Sequence, residues 1–141
     1  MPTYSSSNVT LKTGIPAGGP AGNVLVAYAE VACTAAPSTA DPLQFFYLPA
    51  GARVLHATLE ATDMDTNASP TLTLNIGDAG DADRIFAAST VGQAGTASSA
   101  AAVTGAGFKY TSKTLITGVA AANASTGAAG TIFLWIMYVV E

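Results

Sequence analysis

Charge is scarce in this sequence. Only 10% of its 141 residues are Asp, Glu, Lys or Arg, against about 25% in ordinary soluble domains. Disordered chains show the opposite balance, many charges and few hydrophobic residues. Here half the residues are hydrophobic, so the chain is expected to fold. Positive charge is scarcer still. Lys12, Arg53, Arg84, Lys109 and Lys113 are the whole supply, and the net charge is −4. They form no basic patch or stripe, which argues against nucleic-acid binding. A single cysteine, Cys33, leaves no internal disulfide to form. Cys33 and the lone histidine, His56, are the only soft metal ligands. A structural zinc site could not be completed without carboxylates. Long hydrophobic runs are also missing. The longest, "IFLWIMYVV" at 132–140, has nine residues, where a membrane-spanning helix needs about 20. The opening "MPTYSSSNVTLK" lacks the basic start and apolar stretch of a secretory leader, so none is expected.

Small residues take the place of charge. Ala, Gly, Ser and Thr fill the loops, and such a surface is poorly protected against association. It suits a protein covered by partners or neighbouring subunits. The length fits one domain. Residues 1–23, with "TGIPAGGPAGN", lack an apolar pattern and read as an extended N-terminal arm. Residues 24–141 read as the domain itself.

Within that domain the apolar residues alternate. "NVLVAYAEVACT" places Val24, Val26, Tyr28 and Glu30 on one face and Leu25, Ala27, Ala29 and Val31 on the other. "LQFFYL" is a short aromatic strand, followed by the turn "PAG". In "ARVLHATLEATD", Leu55, Ala57, Leu59 and Ala61 are expected inward, with His56, Thr58 and Glu60 outward. "TLTLNIG" alternates again, with Leu72, Leu74 and Ile76 inward. "DRIFAAST" is a helical turn or a brief strand, and residues 89–107 read as a long surface loop. "FKYTSKTLITGVA" holds one or two strands. "TIFLWIMYVV" is apolar on both faces, so it is expected to be central and covered on both sides. No segment shows helical periodicity over three turns. About eight short strands predict an all-β sandwich, jelly roll or barrel.

The densest charge lies in "NIGDAGDADRIF", residues 75–86. Asp78, Asp81 and Asp83 supply the close carboxylates and glycine that calcium loops use. The EF-hand pattern fails, because the twelfth position from Asp78 is Ser89 rather than a glutamate. We read the stretch as a Gly-Asp turn tied by Arg84, with the three aspartates as metal candidates of second choice. His56 stands mid-strand, a surface or interface residue rather than a catalytic base. Cys33 reads as a small buried hydrophobe. Glu60, Asp63 and Asp65 offer carboxylates for glycoside hydrolysis, but no tryptophan-rich groove accompanies them. Trp135, the one tryptophan, is expected in the core. No catalytic or cofactor-binding residue is assigned, and neither enzyme activity nor a cofactor is expected.

Four segments in order, "LPAGARVLHATLEA", "TLTLNIGDAGDADRIFAAS", "GFKYTSKTLITGV" and "GTIFLWIMYVV", resemble the jelly-roll cement, or decoration, proteins of tailed-bacteriophage capsids. The likeness covers residues 43–141 and rests on "PAGARV", the "GD…DR" turn and the apolar last strand. It implies a two-sheet antiparallel sandwich of jelly-roll type and a structural virion protein on the outer capsid surface, made in the host cytoplasm. It implies the major capsid protein as partner, a homo-oligomer (dimer or trimer), and neither nucleic acid nor membrane as ligand. It carries over no site residues. Alternatives are a tail, neck or receptor-binding accessory on the same sandwich, and a calcium-dependent carbohydrate-binding module using Asp78, Asp81 and Asp83.

Overall fold

Alternation along the strands becomes two sheets facing each other across one core. The structure is a computed structural model, described here for residues 2–10, 23–99 and 105–141. Its strands are β1 (Tyr4–Ser5), β2 (Leu25–Cys33), β3 (Leu43–Leu48), β4 (Ala52–Ala61), β5 (Thr73–Gly77), β6 (Phe86–Ser89), β7 (Ala97–Ser98), β8 (Thr114–Ala122) and β9 (Gly130–Val140). One sheet runs β2-β9-β4-β7 and the other β1-β3-β8-β5-β6. Leaving β1 aside, the chain moves from sheet to sheet at every step except β5 to β6, and all of these pairings are antiparallel. This is the eight-stranded jelly roll.

The core lies between the sheets. Val31, Leu59, Ile132, Leu134 and Ile136 meet Leu43, Phe45, Leu74, Ile76 and Ile116, all fully buried. Burial of this apolar surface is the main force holding the sheets together. Gly118 on β8 is required for the fit. A Cβ there would stand 2.8 Å from Ile76 Cδ1 and 3.1 Å from Phe45 Cε2. Gly51 closes the turn between β3 and β4 at φ +87°, a conformation costly for any residue with a Cβ.

Several expectations shift. Leu55 is 44% exposed, not inward. β4 slips register between Val54 and His56, so Leu55 is the extra residue of a β-bulge. Before the slip the inward positions belong to Ala52 and Val54; after it, to Ala57, Leu59 and Ala61. The span expected as a surface loop holds a 3-10 turn (Val91–Gln93), with Val91 buried, and the edge strand β7. Of the two readings of "DRIFAAST", the brief strand holds, as β6.

The expected arm contains structure in its described part. Tyr4 and Ser5 pair in parallel with Leu43 and Gln44 of β3. Ser6 is buried and its hydroxyl donates to the Phe45 carbonyl. A four-residue helix, α1 (Ser7–Thr10), follows. The rest of the expected arm, residues 11–22, lies outside the described residues.

Candidate interaction surface

The outward face of the β2-β9-β4 sheet carries side chains that a lone domain would bury. β9 is central, as expected, but among the described residues only its inward side is fully covered. Trp135 is half-buried rather than in the core, and Phe133 and Met137 share its face. The register sets them in rows across three strands: Val26, Met137 and His56; Tyr28, Trp135 and Thr58; Glu30, Phe133 and Glu60. The Tyr28 and Trp135 rings lie 5.0 Å apart. Those of Phe133 and Trp135 stack at 6.1 Å. Val24, Val26, Tyr28, Leu55 and Met137 are all at least 39% exposed. A contiguous exposed apolar face of this kind marks an interaction site, while scattered exposed residues do not. Small residues make it possible: β2 buries Ala27 and Ala29, and its larger Val26 and Tyr28 are left outside.

The acidic stretch at 75–86 forms a different structure. Asp78 is buried. Its Oδ2 accepts from Arg84 Nε at 2.6 Å and from the Tyr110 hydroxyl at 3.0 Å. Its Oδ1 accepts from the backbone N–H groups of Gly80 and Asp81. Burial pushes this carboxyl up, but the Arg84 and Tyr110 hydrogen bonds outweigh it and hold it below the usual range. Arg84 also lies 3.8 Å above the Phe108 ring. Asp81 and Asp83 stand at the surface, and sharing a hydrogen bond with Asp81 raises the Asp83 carboxyl above its ordinary value. Among the described residues no three His, Cys, Asp or Glu side chains are grouped to hold a metal ion.

Asp65, one of the sugar-hydrolysis candidates, is a buried tie between loops. It accepts N–H groups from Thr71 and Leu72 and, across the chain end of the sandwich, from Ser125 and Thr126, at 2.7–3.0 Å. Desolvation raises its pKa, but these bonds prevail and hold it well below the carboxylate range. Asp63 Oδ1 accepts the Asp65 N–H, and Glu60 lies on the outward sheet face. Glu60 thus stands on the sheet while Asp63 and Asp65 belong to the following loop, where Asp65 is engaged by backbone N–H groups. His56 is exposed opposite Met137. Cys33 is buried, and burial with the nearby Asp41 charge pushes its thiol up to about 11.

Sequence reasoning missed the outward row as a site. The signal was present in β9, apolar at every position from 132 to 140. It was read as burial by the chain's own elements, and none of the described ones lies there.

No protein-family model and no curated protein sequence matches the chain. Solved structures do. A chain of the cyanophage Pam1 capsid asymmetric unit is 48% identical, covering 91% of this chain and 92% of that one, with a TM-score of 0.79. A chain of the Ralstonia phage GP4 capsid is 30% identical over 99% and 98%, with a TM-score of 0.88. A chain from the acidic stable capsid of Helicobacter pylori bacteriophage KHP30 shares the fold at 14% identity and a TM-score of 0.60. With near-complete overlap in both directions and identity up to 48%, the chain belongs to the family of jelly-roll phage capsid proteins represented in the Pam1 and GP4 particles.

Proposed function

We propose that this chain is a decoration, or cement, protein that binds the major capsid protein on the outer surface of a tailed-phage shell and stabilises it. The observation that carries this reading is the exposed aromatic face on β9. Aromatic anchors such as Trp135, Tyr28 and Phe133 supply much of the binding energy when a partner desolvates them. The role is non-catalytic. Asp65 and Asp78, both buried, are held by backbone N–H groups and Arg84 and shape loops. Negative net charge favours a protein partner over nucleic acid. Among the described residues no helix is long and apolar enough to cross a membrane. Packed DNA pushes a shell outward, and a protein bridging two subunits must be broken before the seam opens. Repetition over the lattice, and an oligomer of two or three copies, multiply modest individual contacts. The N-terminal segment, whose β1 is rooted on β3, is a second grip on a neighbouring subunit.

The test is reconstitution. Shells prepared without the protein should bind it when it is added back and then survive higher temperature before releasing DNA. Cryo-electron microscopy should find it over contacts between major capsid subunits. Density at the tail or neck instead would assign it to an accessory role.

A further inference from the structure

The two ends of the outward face differ: Arg53, at one, is paired with Glu141, while two glutamates stand at the other. Glu30 and Glu60 flank Phe133 from the two neighbouring strands. Two inter-strand spacings separate their backbones by about 10 Å. Phe133 stands between them in the register, with the Trp135 ring next along β9, 6.1 Å away and within 19° of parallel. Glu30 accepts a hydrogen bond from the Tyr28 hydroxyl at 3.2 Å. Neither glutamate has a cationic partner among the described residues. Two carboxylates flanking an aromatic side chain suit a guanidinium. Its plane stacks on a ring while its N–H fork reaches the acids on either side.

We propose that this end of the face is a seat for an arginine side chain of the capsid shell, with apolar shell residues resting on Trp135, Met137 and Val26. The inference rests on the decoration role proposed above and names the chemistry of its partner. A second copy of this chain is a poor occupant. Its described cations are engaged: Arg53 and Lys109 with Glu141, Arg84 with Asp78, and Lys113 over the Tyr47 ring. Two such faces pressed together would also add two more glutamates to an acidic site.

The experiment titrates the full chain onto shells prepared without it, at low and high salt. It compares wild type with E30Q/E60Q and with D81N/D83N, which removes the same charge from a distant loop. Thermal melting first confirms that both variants are folded. E30Q/E60Q should weaken shell binding by about tenfold or more and flatten its salt dependence, while D81N/D83N should bind like wild type. Wild-type affinity and salt dependence in E30Q/E60Q would overturn the arginine seat and leave the decoration role intact. A change in oligomeric state of E30Q/E60Q without shells would assign the face to a second copy, also overturning it. Failure of the wild-type chain to bind shells would remove the decoration role and the seat with it.

Discussion

Leu55 and Leu59 lie four residues apart on β4, and uninterrupted alternation would put both in the core. The bulge at Leu55 separates them: Leu59 is 0% exposed and Leu55 44%. Replacing each by alanine should therefore give very different losses. The change removes three carbon atoms, worth about 0.8 kcal/mol each when buried. At Leu59, between Leu134 on its own sheet and the opposite sheet, a cavity term adds to this, for about 2–5 kcal/mol in all. At Leu55 much of the side chain is already in water, so about 1 kcal/mol is expected. Near this chain length 1 kcal/mol moves Tm by about 3 °C. Leu59→Ala should lower Tm by about 10 °C and Leu55→Ala by about 3 °C. Urea titration gives the free energies directly, with unchanged slopes showing that the unfolded state is unaltered. Equal losses at the two positions would mean that β4 alternates without interruption and that Leu55 belongs to the core.

Asp65→Asn should abolish part of the acid sensitivity of the fold. Because the folded pKa is depressed, the carboxylate's contribution is present above its unfolded value, about 3.9, and is lost as pH falls below that. The wild-type Tm should drop more steeply than the variant's on acidification from pH about 5 to 2, and parallel curves would refute this. Asp78→Ala removes the 2.6 Å ion pair from a largely buried Arg84 and should cost about 3 kcal/mol in a urea titration; a loss under 1 kcal/mol, measured the same way, would make the pair incidental. Deleting residues 2–10 removes β1 and the Ser6 bond to Phe45 and should lower Tm; an unchanged melt would mean that this segment adds nothing to the sandwich.

Much of the fold was legible because alternation is direct evidence of a covered face. Leu72, Leu74, Ile76, Leu134 and Ile136 are all buried as the pattern requires. What failed was register. A bulge is one extra residue with no composition of its own, so Leu55 looked inward, and Phe45 and Phe46 are both buried across another slip in β3. The 3-10 turn at 91–93 and β7 follow from docking on β4 and β5, and nothing in their small residues announces it. The acidic turn was legible through Arg84, six residues after Asp78, although the Tyr110 hydroxyl was not. The interaction face was hidden for a different reason. Hydrophobicity says that a surface wants to leave water, and is silent on whether the covering atoms come from the same chain. Trp135 was assigned to the core for that reason.

The position of β9 has a mechanical consequence. It is paired in register at nine positions with β2 on one side and at nine with β4 on the other. A tug on Trp135 or Phe133 along the strand is therefore shared by two ladders, which must slide together before the strand can leave. Gripping a short edge strand such as β7, two residues long, would let the pull peel bonds away one at a time. A partner holding this domain by the face of β9 has hold of its most firmly anchored strand, so tension across the joint falls on the contact before it reaches the fold.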